Sequence, residues 1–305
     1  MSFVEIVGRQ FYFSGSCACC WVCANQENLT ETVNYLVNGQ GCGDTPPVTG
    51  LFLRGEFDDL SPIRRLIPPV TNLRLESHVL RKRDLECLYA HQYLSTFIHE
   101  ETECGLDFSA FPFLRSYSGY WHTENTNLVR CRNLSQVTLR RLNTKSKTLI
   151  EIEGLAGDAL EITHTNIESL DGIGAMEDLL KLSISYAPKL QSWEGLTSLA
   201  DSLRALEIDH AKKIRELEKV ACFGELRELR LVHCSRLKSL SILRGLRKLR
   251  WLSVADTDID DGDFSPLLLL PELISVGMTN KKHYSHRNTE LNEMLKVRNT
   301  LDILI

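Results

Sequence analysis

Leu203-Arg204-Ala205-Leu206-Glu207-Ile208-Asp209-His210-Ala211 decides the fold, because its apolar frame recurs at a nearly fixed interval. The frame precedes it as Leu179-x-x-Leu182-x-Ile184-x-x-Ala187. It follows as Leu226-x-x-Leu229-x-Leu231-x-x-Cys234 and Leu249-x-x-Leu252-x-Val254-x-x-Thr257. Inside each stretch, two apolar residues separated by one polar residue have the period of a strand with a single buried face. A fixed repeat length lays each strand beside its predecessor in one register. One such unit cannot bury its own apolar face, whereas a stack makes a continuous core and a long exposed surface.

Working outward with the first apolar residue of each strand as anchor, the series reads Leu51, Leu73, Phe97, Tyr117, Val137, Leu160, Leu182, Leu206, Leu229, Leu252 and Val276. The intervals are 22, 24, 20, 20, 23, 22, 24, 23, 23 and 24 residues. Leu114 competes with Tyr117, so the register between 85 and 135 stays open. The return segments carry apolar residues three apart, as in Leu190, Trp193, Leu196 and Leu199, or Leu237, Leu240, Leu243 and Leu246. That spacing predicts short 3₁₀ turns rather than full helices.

On these motifs the chain resembles the leucine-rich repeat proteins over roughly residues 50–280. The repeat length is closest to the bacterial internalin-like and plant immune-receptor types. The resemblance implies an α/β solenoid: a curved parallel sheet on the concave face, short 3₁₀, helical or irregular returns on the convex face, and caps at both ends. The expected division is a Cys-rich N-terminal cap over 1–50, the solenoid over 51–280 and a C-terminal cap over 281–305. One departure stands out. The consensus asparagine after each strand is replaced by Thr165, Ala187, Ala211, Cys234 and Thr257. Threonine and cysteine can tie the turns in part; alanine cannot.

Apolar content of 43% and charge of 25% in 305 residues are those of a folded globular protein. No apolar stretch is long enough to span a membrane. The net charge of −5 argues against nucleic acid as the main partner, since phosphate binding needs a clustered cationic surface. Met1-Ser2-Phe3-Val4-Glu5 lacks the basic opening and apolar segment of a signal peptide, so a cytoplasmic setting is expected. Ten cysteines are then expected as free thiols in a reducing compartment.

In the N-terminal segment, Phe3, Ile6, Phe11 and Phe13 suggest a hairpin, and Leu29, Val33, Leu36 and Val37 an amphipathic helix. Between them lies Cys17-x-Cys19-Cys20-x-x-Cys23. Thiolates at this spacing can share a zinc ion, with Cys42 as a further ligand. Structural zinc sites ordinarily use two separated Cys-x-x-Cys knuckles, and here there is one. The interleaved Ala18, Trp21, Val22 and Ala24 favour small buried thiols in a capping core.

Strand alternation puts the residues one before, one after and three after each anchor on the concave surface. Among them are Glu207, Asp209 and Glu228, an acidic cluster on two adjacent rungs, together with Arg230 and the outward Trp251. The position four after each anchor gives a column of Trp121, Arg141, His164, Tyr186, His210, His233 and Asp256. Rings in such a column either stack on one another and shield the turn or form the centre of an interface, where aromatic groups are enriched. His210 and His233 could hold a metal between them, but the column supplies no third ligand.

No phosphate-cradling glycine loop, Gly-x-Ser-x-Gly elbow or His-Glu-x-x-His occurs, so no enzyme is expected. The expected function is recognition of another protein, one dedicated partner, through the concave face; a small-molecule substrate is not expected. The chain also resembles the small single-domain leucine-rich proteins found with toxin systems. That resemblance implies an immunity protein that covers a basic toxin with its acidic and aromatic rungs. The rival readings are a zinc-containing adaptor built on the cysteine-rich start and a bacterial effector that binds a host protein.

Overall fold

The computed structural model describes residues 2–6, 9–13, 20–38, 48–66 and 70–301. The chain forms two compact units, Met1–Arg140 and Arg141–Ile305.

In the first unit, β1 (Ser2–Ile6) and β2 (Arg9–Phe13) form an antiparallel pair, and β2 runs antiparallel to β3 (Cys20–Ala24). From β3 onward the sheet is parallel, through β4 (Val48–Arg54), β5 (Asn72–Leu80), β6 (Thr96–Thr102), β7 (Ser116–Tyr120) and β8 (Gln136–Arg140). Val22 pairs with Leu51, Leu51 with Leu73, Leu73 with Phe97, Phe97 with Tyr117, and Tyr117 with Val137. Tyr117 is therefore the anchor, and Leu114 is buried in the turn ahead of it. Val22 opens the parallel ladder, and Gly50 lies within β4, opposite Trp21. The first return is a helix, α1 (Leu29–Val37), which buries Leu29, Thr32 and Val33. A second helix, α2 (Lys82–Tyr89), starts where the Asp84 carboxylate accepts from the Arg81 amide at 2.9 Å, a reach-back that satisfies an otherwise unpaired donor.

The second unit repeats one rung six times: β9 (Ala159–Thr163), β10 (Lys181–Ser185), β11 (Ala205–Asp209), β12 (Glu228–Val232), β13 (Trp251–Ser253) and β14 (Ser275–Gly277), all parallel. Leu160, Leu182, Leu206, Leu229, Leu252 and Val276 lie side by side in one row and are all buried. The returns are 3₁₀ turns, such as Leu196–Leu199, Leu217–Cys222 and Leu240–Gly245. A three-residue turn keeps every third side chain on one face, and Leu190, Trp193, Leu196 and Leu199 are accordingly all buried.

The residues in place of the consensus asparagine divide as their chemistry requires. Thr165 Oγ1 donates to the Leu142 carbonyl at 2.6 Å, Thr257 Oγ1 to that of Leu231 at 2.8 Å, and Cys234 Sγ to that of Ile208 at 3.3 Å. Ala187 and Ala211 fill the slot with a methyl group and are fully buried. The last strand is closed by side chains. Asn292, on α3 (Asn288–Leu301), accepts from the Val276 amide at 2.9 Å and donates to the Val276 carbonyl at 2.8 Å. Asn288 Nδ2 also donates to the Val276 carbonyl at 2.8 Å, so two carboxamides occupy the backbone groups that Val276 would offer a further strand.

Candidate functional site: the strand-end ring ladder

Each strand from β8 to β13 is followed by one residue in the left-handed region. These are Arg141, His164, Tyr186, His210, His233 and Asp256, with φ between 49° and 56°. For residues with a Cβ this conformation costs roughly 1–2 kcal/mol each, so it persists only where its surroundings enforce it. The enforcing contact is the backbone. The amides of Arg141, His164, Tyr186, His210 and His233 donate to the carbonyls of Thr163, Ser185, Asp209, Val232 and Ala255, at 2.8–3.1 Å. The chain leaves the strand without losing a rung-to-rung hydrogen bond, and every side chain at this position leaves in the same direction.

Four rings therefore stack. His164 and Tyr186 have centroids 4.5 Å apart, Tyr186 and His210 4.5 Å, and His210 and His233 4.2 Å. These separations match the rung spacing of roughly 4.8 Å, which places the rings face over face. The ladder is not covered: Tyr186 is 46% exposed. Beside it opens a hollow of about 550 Å³, bordered by His164, Tyr186, Pro188, His210, Lys212 and Lys213.

Asp209 sits beneath the ladder. Its Oδ1 lies 2.7 Å from His210 Nδ1 and 3.3 Å from His233 Nδ1. His233 Nε2 in turn faces Asp256 Oδ2 at 3.2 Å, and Asp256 accepts from Thr279 Oγ1 at 2.9 Å. Glu207 faces Arg230 across neighbouring strands at 3.7 Å. Glu207 and Asp209 are thus engaged by a local cation and by imidazoles, and the face carries mixed charge. Glu228 is half-buried beside Trp251, its partner in the strand register. Trp251 itself is 45% exposed, with the Arg250 guanidinium 5.0 Å from its ring centre.

Among the described residues, Tyr186, His164, His210 and His233 form one assembly, and Glu207, Asp209, Arg230, Glu228 and Trp251 lie on the adjoining strands. Trp121 belongs to the first unit, where it is half-buried and its amide donates to Arg140 at 2.7 Å. Of the expected zinc ligands, Cys17, Cys19, Cys42 and the side chain of Cys20 lie outside the described residues. Cys23 is on β3 as a free, half-buried thiol, raised by burial against an opposing pull from Arg54. The junction of Asp209 with both histidines was not read from the strand alternation. Its signal is the Asp209-His210 pair with His233 one rung on, visible once the turn residue is known to lean over its neighbour.

No protein-family model matches the chain, and no curated protein matches it in sequence. Solved structures do. The functional domain of InlJ from Listeria monocytogenes, described as including a cysteine ladder, superposes with a TM-score of 0.50 at 14% identity. The match covers 81% of this chain and 57% of that one. The chain folds as a leucine-rich repeat solenoid. An internalin, InlF, from Listeria monocytogenes str. 4b F2365 aligns over 85% of the solenoid chain and 92% of its own, with 16% identity and a TM-score of 0.48. Against InlJ the solenoid spans a little over half the length of the compared chain. Among the described residues, no helix is long and apolar enough to cross a membrane.

Proposed function

We propose that this solenoid recognises another protein through the outward strand face of its second unit, without catalysing a reaction. The observation that carries the reading is the exposed stack of His164, Tyr186, His210 and His233, with Trp251 at the opposite end of the strands. None of these rings contributes to the core, and exposed aromatic groups on a rigid scaffold bind with little loss of conformational freedom. Backbone hydrogen bonds already hold each ring position, so the surface is formed before a partner arrives.

The finer reading is one dedicated partner in a reducing, cytoplasmic setting, in the manner of an immunity protein that covers a toxin. Free thiols at Cys23, Cys87, Cys104, Cys131, Cys222 and Cys234 support the reducing setting. The mixed charge of the face, with Lys212 and Lys213 beside the ladder, favours a partner with both aromatic and acidic groups over a purely basic one. Affinity purification of the tagged chain from its native cells, followed by mass spectrometry, tests this. One protein recovered in stoichiometric amount supports a dedicated partner. A scatter of unrelated proteins, or none, removes that reading.

A further inference from the structure

We propose that Asp209, His210 and His233 bind a divalent transition-metal ion, with zinc the ion best matched to the ligand set. Two imidazoles and a carboxylate each bring one donor atom, and the three atoms lie within 4.8 Å of one another. The carboxylate oxygen is 2.7 Å from one Nδ1 and 3.3 Å from the other. With metal–nitrogen and metal–oxygen bonds near 2.0–2.2 Å, neighbouring ligands of a tetrahedral site stand about 3.3 Å apart. Of the three edges one already has that length and one needs to open by roughly half an ångström. The third, between the two imidazoles, needs one of the rings stacked at 4.2 Å to rotate so that both nitrogens face the ion.

The hydrogen bonding at His233 points the same way. Its two ring nitrogens face two carboxylates, Asp209 at Nδ1 and Asp256 at Nε2, at 3.3 Å and 3.2 Å. A neutral imidazole has one N–H and one lone pair, so one carboxylate meets a lone pair. A cation between Nδ1 and Asp209 resolves this. The remaining Nε2–H then donates to Asp256, whose position Thr279 fixes. That is the metal–histidine–carboxylate arrangement which orients ligating imidazoles and sharpens their donor strength.

Access is open. The side chains of His210, His233 and Asp209 retain 38%, 36% and 22% exposure. Three protein ligands at a solvent-facing site leave a coordination position for water. The site rests on the geometry of three side chains and does not depend on the protein-docking reading.

The test is titration of the metal-stripped full chain with zinc chloride, monitored by calorimetry, and with cobalt chloride, monitored by visible absorption. The expected result is one equivalent bound at this site, with cobalt ligand-field bands that lack thiolate charge transfer and so exclude the N-terminal cysteines as its ligands. Asp209→Asn, which keeps the shape of the side chain, and His233→Ala should each weaken binding at least tenfold. Asp256→Asn should weaken it by about 10–100-fold as a residue acting through His233. His286→Ala, outside the site, should bind as the parent does. Circular dichroism identifies any variant that fails to fold, and the remaining substitutions then decide. Thiolate bands alone, binding that survives both Asp209→Asn and His233→Ala, or no binding would overturn the proposal.

Discussion

Acidification should weaken the first unit through His99, by an amount that follows from its surroundings. His99 is fully buried, with Nε2 2.9 Å from Tyr117 Oη and Nδ1 without a well-formed hydrogen bond. The rings of Phe97 and Tyr117 lie 5.3 Å and 5.7 Å away. A charged imidazole here would lose its hydration and gain no counter-ion. Burial accordingly brings the pKa down from 6.5 to about 3, against a small opposing effect from the Glu101 backbone. Because the folded value is depressed, the unfolded chain binds the extra proton between these limits. Stability is therefore intact above the unfolded value of 6.5 and is lost as pH falls from there towards 3. At pH 5 the loss is set almost wholly by the unfolded value and amounts to roughly 2 kcal/mol. His91, also lowered by burial, adds a contribution of the same sign, so the effect must be isolated by difference. Urea unfolding at pH 7 and pH 5, followed by tryptophan fluorescence, should show wild type losing about 2 kcal/mol more than His99→Gln over that interval. The constant effect of the substitution cancels in this difference. Equal losses in the two proteins would refute the assignment of a neutral, desolvated His99.

Four further outcomes follow. Leu252→Ala should cost about 2–5 kcal/mol, whereas Trp251→Ala, one residue away on the outward face, should change stability by no more than about 1 kcal/mol by thermal melting. Thr257→Val removes the donor to the Leu231 carbonyl and the acceptor of the Cys234 amide, and should destabilise by roughly 1–3 kcal/mol by chemical denaturation. At φ 54°, Tyr186→Gly should be more stable than Tyr186→Ala by about 1 kcal/mol, the reverse of the order in a helix. Burial pushes the Cys131 and Cys234 thiols up to about 11 and about 12, so at pH 8 neither should react with a thiol reagent until the chain unfolds. Peptide mapping should find the exposed Cys222 modified well before either of them.

The leucine frame carries the fold in plain view because its period is a covalent property of the chain. Once Leu182, Leu206, Leu229 and Leu252 recur at 23–24 residues, the parallel register has one solution. Tyr117 was ambiguous because a tyrosine in an anchor slot needs a polar neighbour inside the core. His99 supplies it from the preceding rung, and nothing in the spacing announces that pair. Val22 escaped the series because its return is the helix α1 rather than a 3₁₀ turn, so the interval to Leu51 stretches to 29 residues. The ring column was legible as a column, but not its geometry. Stacking depends on a left-handed residue at the end of each of four adjacent strands, a backbone state that side-chain patterning does not encode. The acidic cluster was legible as residues on adjacent rungs, but not its partners. Strand alternation correctly turns Glu207 and Asp209 outward but does not show that Arg230, His210 and His233 lie within reach of them.

Under the proposed function the exposed rings bind a protein and do not hold the fold together. Its most direct test compares the intact chain with a Tyr186→Ala, Trp251→Ala double variant as affinity baits in the same native extract, with melting temperatures measured alongside. The expected result is one stoichiometric protein on the intact bait, its loss from the variant, and two melting curves that nearly coincide. A partner retained equally by both baits, or a variant that melts far below its parent, would contradict it.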